Sequence, residues 1–312
     1  MVRHALALLG MFAVLCPQWL VSQDAPKSAQ SSQPLATLTT PELLSRFESA
    51  EFDWQQAEIG CQLVSRGDLS VLPRIEELSR VDDRKRRSNA AFVLDGLGDQ
   101  RGLEILIAEV RDTKLRAVRP GEGRGNNPAA HQVIADRYYA AQLLGHIGRD
   151  PAIPTLVELL KDEQLAYVAA ISLGRLGVRA AIPDILEMAD RFPRHRDEAA
   201  TALAMLGDDR GLDMLVKSIE TSEHYAVRCR AIDALRMSGS VKQQPALLKA
   251  LEDPHANVRV CAARALQAVG DSQALPSLRK AATDKTVPPW HAPTTVSTEA
   301  IAAIEAIEGR SK

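Results

Sequence analysis

The sequence predicts an all-α fold, a right-handed superhelix of about eight two-helix repeats, and three observations lead to this prediction. The first is composition: 46 % of the 312 residues are hydrophobic but only 4 % are aromatic, so small aliphatic side chains must form the core. Such a core suits closely packed helices. The second observation is a set of glycines at a nearly constant spacing, and the third is a leucine four residues before each of them.

The glycines set the period of the repeat. Their successive separations are 31, 50, 29, 30, 32 and 31 residues. The seven are Gly67, Gly98, Gly148, Gly177, Gly207, Gly239 and Gly270. One insertion between Gly98 and Gly148 accounts for the long gap, and a constant period near 31 is the signature of a solenoid.

Each repeat opens with an amphipathic helix and continues into a second one. The leucines before the glycines are Leu63, Leu94, Leu144, Leu173, Leu203, Leu235 and Leu266, and alanine stands eight residues before six of the seven glycines. These offsets fall on one helix face, and the glycine suits a left-handed cap at the helix end. A following aspartate, as at Asp68 or Asp271, is expected to cap the next helix.

The run from Asp253 to Leu278 resembles the short HEAT repeats of the phycobilisome-lyase (E-Z) type. This resemblance implies a HEAT-like solenoid of helix pairs over about residues 41–310. It also implies an architectural role for arginines eleven residues before the glycines, each pairing with acids of neighbouring repeats. Those arginines are Arg87, Arg137, Arg196, Arg228 and Arg259.

The amino-terminal segment is typical of an export signal. A short basic start precedes an apolar run from Ala5 to Cys16. We therefore expect a signal peptide over residues 1–22, a flexible linker over 23–40, and the solenoid over 41–312 with an insertion at about 113–130. Export leads to the periplasm or the outside of the cell. Membrane contact is expected only if the segment stays uncleaved as an anchor.

Three cysteines follow this segment, and buried free thiols are the favoured interpretation for them. Cys229 and Cys261 lie in successive repeats but one position out of register, so one disulfide between them is the alternative.

Several function classes are disfavoured by what the sequence contains. With 38 basic and 40 acidic residues, no nucleic-acid partner is expected. The di-iron hydroxylases built from such repeats carry paired His-Glu steps, and no His-Glu dipeptide occurs here, so no metal site and no cofactor are expected. A chromophore lyase would need a cytoplasmic pigment protein, which the export signal argues against.

A partner surface is expected on the second helices, which line the concave side of HEAT-like arrays. Outward positions change from acidic to basic along the chain, which would orient an extended protein or peptide. The candidate residues are Glu77, Glu158, Asp184, Glu187, Met214, Lys217, Lys249 and Lys280. In the basic insertion, Arg116, Arg119 and Arg124 are candidates for an anionic partner, the alternative being a tolerated surface insertion.

The function expected from these features is that of an exported, non-catalytic scaffold, with no catalytic residues. One alternative is an enzyme or enzyme-maturation factor of the same repeat family, lyase-like or metal-dependent hydroxylase-like. A further alternative is a structural repeat segment of a larger envelope complex.

Overall fold

The computed structural model describes residues 34–119, 127–148, 150–289 and 294–310, and within them every regular element is helical. The α-helices, numbered in chain order, are α1 Thr40–Ser49, α2 Asp53–Arg66, α3 Leu72–Leu78, α4 Arg84–Gly96, α5 Arg101–Arg111, α6 Pro128–Ile147, α7 Ile153–Leu159, α8 Ala166–Arg175, α9 Ile182–Arg191, α10 Arg196–Met205, α11 Asp209–Thr221, α12 Tyr225–Ser238, α13 Gln244–Ala250, α14 Ala256–Val269, α15 Leu275–Ala281 and α16 Val296–Arg310. The predicted all-α repeat fold is confirmed.

The helices form two compact units. Unit 1 ends at Thr155 and unit 2 begins at Leu156, so the boundary falls within α7. In unit 1, α2, α4 and α6 each pack against a shorter neighbouring helix, and in unit 2 α12, α14 and α16 do the same. The helices α8 and α10 pack against each other, and α10 also packs against the longer α11.

The leucines that precede the glycines form the centre of both cores. All seven are at most 1 % exposed, and the alanines eight residues before the glycines are at most 4 % exposed. Side chains this small let the first helices of successive repeats approach each other closely, which is why the composition is rich in alanine and poor in aromatic residues.

Six of the seven glycines end their helices in the left-handed conformation, as predicted, with φ between 64° and 96°. Gly270 differs, because its φ is −72° and its ψ is 151°. A Cβ there would lie 2.5 Å from the Leu266 carbonyl oxygen and 3.1 Å from Ile307. Glycine is needed at this position because a Cβ would meet the Leu266 carbonyl of α14 and the Ile307 side chain of α16, and not because of its backbone angle.

The aspartates after the glycines cap the turns that follow them. Asp68, Asp208 and Asp271 each accept a hydrogen bond from the backbone N–H two residues on. They begin either a 3₁₀ turn or the second helix directly. The predicted capping is confirmed.

The last part of the predicted linker belongs to the folded structure. Residues Leu35–Thr37 form a 3₁₀ turn, and Leu38 is 4 % exposed. Thr39 then caps α1 through a reciprocal pair of bonds with Glu42. The predicted signal peptide, residues 1–22, lies outside the described residues. Among the helices that are described, none has the length and apolar character needed to cross a membrane.

Candidate functional site

Among the described residues, charged side chains form one prominent set in each unit. In unit 1 a buried set of charges holds the insertion that follows α5. In unit 2 acidic and basic side chains form rows along the second helices α9, α11, α13 and α15, which we call the second-helix surface.

Arg84, the first residue of α4, is at the centre of the buried set. It is 1 % exposed, and its Nη2 lies 2.7 Å from Asp112 and donates to the Lys114 carbonyl oxygen at 2.9 Å. Its Nε and Nη1 lie 3.8 Å from Glu109 and Asp136. A buried guanidinium needs such compensation, because removing its charge from water is costly.

Arg119 ties the insertion to α6. Its side chain pairs with Asp136, and its backbone N–H donates to Gln132 at 2.7 Å. Gln132 in turn donates to the Ala117 carbonyl oxygen at 3.2 Å. The segment 112–119 has no regular secondary structure, but these bonds and the Lys114 contact fix it against α4 and α6.

Internal pairing uses much of the positive charge that the insertion was expected to offer a partner. Arg119 is paired as described, and Arg116 lies 3.0 Å from Asp112. Arg124, the third predicted residue, lies outside the described residues. Sequence reasoning missed Arg84, Asp112 and Asp136, although a basic insertion following acids at the end of α5 was a signal for internal pairing.

The ion pairs also change the acidity of Asp112. Burial alone would raise its pKa, but the Lys114 backbone N–H and the Arg84 guanidinium stabilise the carboxylate more strongly. The pKa of Asp112 is therefore lowered to about 2. Its carboxylate stays charged at any pH at which the protein is expected to work.

The predicted acidic residue of unit 1, Glu77, lies on an exposed side of α3. It shares the guanidinium of Arg74 with Glu48, which lies 2.7 Å from Arg74 Nε. Two carboxylates therefore face one cation at this point of the surface, and Glu77 is available to solvent but not isolated.

The predicted basic row of unit 2 is balanced by acids that sequence reasoning missed. Lys249 Nζ lies 3.1 Å from Glu220, and Lys280 Nζ lies 2.7 Å from Glu252. Each lysine thus reaches the glutamate of the preceding repeat. Both glutamates stand three residues after a predicted basic position, Lys217 or Lys249, so the one-turn spacing places them on the same helix face but does not identify their partners in the next repeat. The second-helix surface of unit 2 is a ladder of ion pairs and not a purely basic stretch.

The other predicted residues of unit 2 are divided between solvent and core. Asp184 and Glu187 lie together on α9, where Glu187 pairs with Arg191. Glu158 and Lys217 are exposed. Met214 is half-buried and packs against the core of unit 2, so it contributes to stability more than to a contact surface.

One cleft of about 480 Å³ opens on the second-helix surface. Its polar groups are the Glu252 and Lys280 pair, the hydroxyls of Ser277 and Thr283, and Asp284. Asp284 is held by Arg259 at 2.8 Å. The cleft therefore offers an ammonium, two hydroxyls and two carboxylates to a ligand with hydrogen-bonding groups.

The arginine positions implied by the family resemblance are largely architectural. Arg228 donates two hydrogen bonds to the Asp253 carboxylate, from Nε at 2.8 Å and from Nη2 at 2.9 Å, and a third to the Ser222 carbonyl oxygen. Arg259 pairs with Asp284 in the same way, and Arg87 with Glu109. Each guanidinium fastens the turn before its helix to the acid that ends the repeat. Across the described residues, His, Cys, Asp and Glu form no group of three that could hold a metal ion.

Comparison with family models identifies the repeats. The model for HEAT repeats matches residues 162–236 and 212–290. The model for the PBS lyase HEAT-like repeat matches residues 136–162. These matches contain α7 to α15 and most of α6.

Two known proteins extend the comparison. The chain is 31 % identical over 155 residues to the phycocyanobilin lyase subunit alpha of Nostoc sp. strain PCC 7120, covering 42 % of this chain and 55 % of that protein. The chain thus matches about half the length of this relative. A chain in the structure of the complex of CpcE and CpcF of phycocyanin lyase from Nostoc sp. PCC7120 has a similar fold, with a TM-score of 0.51 and 16 % identity. The alignment covers 92 % of this chain and 99 % of that chain. At that identity the likeness shows the fold.

The match to a lyase subunit overturns two expectations. The expected non-catalytic scaffold is wrong as the main interpretation, and so is the expectation that the chain is not an enzyme. Both relied on an open surface without converging catalytic residues. That argument fails for a protein whose relative is a subunit of an enzyme, because chemistry can be completed by a partner subunit.

Proposed function

Because the chain belongs to the HEAT-repeat proteins of the short, phycobilisome-lyase-like type, we propose that it is a lyase-like enzyme subunit that acts together with a second protein. The observation that carries this proposal is the 155-residue match, at 31 % identity, to phycocyanobilin lyase subunit alpha. The word alpha in that name implies a further subunit, and the complex of CpcE and CpcF, which shares this fold, contains two proteins.

The ligand proposed for this chain is an open-chain tetrapyrrole of the phycocyanobilin class. Such a pigment carries carboxylates on an apolar conjugated body. The cleft of unit 2 offers the Lys280 ammonium to a carboxylate and the hydroxyls of Ser277 and Thr283 to polar groups. Leu251 and Ala281 form an apolar part of the cleft wall, which would contact the conjugated body of the pigment. Lys280 is paired with Glu252, so an incoming carboxylate would compete for the same ammonium.

A titration tests the proposal directly. Phycocyanobilin is added to the purified full-length chain, and the visible absorption spectrum is recorded, since a protein-bound pigment is held in a restricted conformation and absorbs differently from the free one. We expect a saturable spectral change. Replacing Lys280→Gln should weaken binding about tenfold or more, because a charge-assisted bond is removed.

Lys242→Gln is the matched control. Lys242 is also an exposed lysine of unit 2 and is paired with Asp209 at 2.8 Å, but it does not line the cleft. Its replacement should leave the titration unchanged. A spectrum that stays that of the free pigment at every protein concentration would contradict the lyase-like function. If both substitutions weakened pigment binding equally, the pigment would bind at a place other than the cleft.

We propose separately that residues 1–22 direct export and are removed, and together with the lyase-like function this requires the pigment and the partner protein to lie in the same compartment as the exported chain. The support is the pattern of a basic start and a short apolar run. Sequencing the amino terminus of the protein isolated from its own cells checks it, and the mature chain should begin near Gln23. A chain that still begins at Met1 would contradict cleavage.

A further inference from the structure

The ion pair in the cleft of unit 2 comes from two successive repeats. Glu252 lies in the turn directly after α13, and Lys280 lies in the last turn of α15. Lys280 Nζ donates to Glu252 Oε1 at 2.7 Å. This hydrogen bond, together with the charge of Lys280, lowers the pKa of Glu252, so the carboxylate is ionised near neutral pH. The ammonium that would receive a pigment carboxylate therefore already holds a carboxylate of the protein.

The backbone is fixed on both sides of this pair. The Glu252 N–H donates to the Lys249 carbonyl oxygen at 3.0 Å. The Lys280 carbonyl oxygen accepts hydrogen bonds from the Thr283 hydroxyl at 2.8 Å and from the Thr283 backbone N–H at 3.2 Å. The pair can therefore open by rotation of the two side chains, while the turn after α13 and the end of α15 keep their positions.

The pair lies on the solvent side of the cleft, whereas the apolar wall is buried. The side chains of Lys280 and Glu252 are 77 % and 67 % exposed. Leu251 and Ala281 are 5 % and 8 % exposed. An ion pair this exposed contributes little to the stability of the fold, because water solvates both charges well. Glu252 is thus easily displaced by a competing carboxylate, and the repeats do not depend on it.

Asp284, the second carboxylate of the cleft, is held in place. Its Oδ2 accepts a hydrogen bond from Arg259 Nε at 2.8 Å, and its Oδ1 accepts one from the Thr286 backbone N–H at 3.0 Å. A fixed negative charge repels an incoming carboxylate. Among the described residues that line the cleft, Lys280 is the cation, so a ligand carboxylate has to compete with Glu252 for it.

We infer that Glu252 is a specificity-determining residue of the cleft, an internal competitor that returns to Lys280 when the ligand carboxylate leaves. This inference rests on the proposed function. Because Glu252 is tethered beside Lys280, its effective concentration there is high. A simple carboxylate gains only the ammonium and displaces Glu252 poorly, whereas a pigment that also contacts the apolar wall displaces it. Glu252 thus favours amphipathic carboxylates and speeds the release of ligand that turnover of an enzyme requires.

The test uses the full-length chain, with phycocyanobilin and its dimethyl ester as probes. Glu252→Gln keeps the size of the side chain and removes its charge. We expect this variant to bind the free acid about threefold more tightly or better than wild type, mainly through slower release. The dimethyl ester has no free carboxylate, so its affinity should be the same for the variant and for wild type.

Two further variants control the experiment. Glu220 pairs with Lys249 at 3.1 Å on the same surface one repeat earlier but does not line the cleft, so Glu220→Gln should leave both affinities unchanged. In the double variant Glu252→Gln/Lys280→Gln the gain in affinity should disappear, because the ammonium is absent. The melting midpoints of Glu252→Gln and Glu220→Gln should stay within about 2 °C of wild type.

The outcomes separate this inference from the proposed function. If wild type binds the pigment and Glu252→Gln binds it no more tightly, the inference is wrong and the proposed function stands. Equal tightening of the dimethyl ester, or a gain that persists without Lys280, would also overturn the inference, since the effect would not be competition for the ammonium. A wild-type chain that binds no pigment would contradict both.

Discussion

At the scale of single residues, a buried arginine decides the structure of unit 1. Arg84 holds Asp112 and the Lys114 carbonyl oxygen, and so fixes the start of the insertion. Its position is the first of a helix, where a sequence gives no sign of burial. Repeat periodicity places the helix, but only the fold of the insertion over α4 removes the guanidinium from water.

Replacing Arg84→Ala should destabilise the protein by about 3 kcal/mol, because Asp112, Glu109 and Asp136 would remain near one another without their shared cation. Urea unfolding measures the change. Arg80→Ala is the matched control, since Arg80 is an exposed arginine of unit 1 that pairs with Glu76 one turn away. Its loss should cost well under about 1 kcal/mol. Equal effects of the two substitutions would argue against a role for the buried cluster.

The lowered pKa of Asp112 makes a prediction about acid. Its pKa of about 2 in the folded protein lies below its ordinary value of 3.8, so the carboxylate stabilises the fold above pH 3.8. This contribution is lost as the pH falls through about 2. Asp112→Asn should cost about 2 kcal/mol at pH 7 and much less near pH 2.

Unfolding midpoints of wild type and Asp112→Asn at several pH values measure this difference. Asp209→Asn, at an exposed acid, should show no comparable dependence on pH. A constant difference between wild type and Asp112→Asn across the whole range would mean that the substitution acts through packing and not through charge.

At the scale of elements, close contact between the two helices of a repeat depends on glycine, which has no side chain to keep them apart. Gly211 lies in the first turn of α11, and a Cβ there would lie 2.5 Å from Leu203 Cβ and 2.6 Å from the Ala204 backbone nitrogen. These atoms belong to α10 and cannot move without shifting the helix. The pairing of α10 with α11 is therefore determined by this glycine as well as by apolar burial.

We expect Gly211→Ala to destabilise unit 2 by about 1–3 kcal/mol through overpacking. Gly309→Ala is the control, because Gly309 also lies within a helix, but a Cβ added there would meet no described atom within 4 Å beyond its own helix backbone and chain neighbours. That change should be neutral or slightly stabilising, since alanine favours helix. Thermal unfolding compares the two, and a stable Gly211→Ala protein would mean that α10 and α11 can separate at little cost.

At the scale of the whole molecule, stability should be local. In repeat proteins each repeat contacts mainly its neighbours, so a destabilising substitution affects nearby repeats more than distant ones. Arg84→Ala should raise amide hydrogen exchange in the helices of unit 1, and Gly211→Ala should raise it in the helices of unit 2. Each variant serves as the control for the other. A uniform rise along the whole chain in either variant would indicate a single cooperative structure.

The whole-molecule function also illustrates where sequence reasoning failed. An open surface without converging catalytic groups favoured a scaffold, yet the relative that matches this chain over about half its own length is a lyase subunit. A chain that contributes one part of an enzyme need not contain a complete set of reacting groups. The resemblance to phycobilisome-lyase repeats therefore agrees with the comparisons, whereas the absence of motifs did not exclude an enzyme subunit.

The sequence by itself determined the repeat, because the period of the glycines, the leucines before them and the aspartates after them are local signals that each helix pair needs in order to form. It determined six of the seven helix caps for the same reason. Only the tertiary structure decided how charges are paired. Glu220 meets Lys249, and Arg84 meets Asp112, across 29 and 28 residues of sequence. Electrostatic partners depend on distance in space, and residue spacing alone does not define that distance.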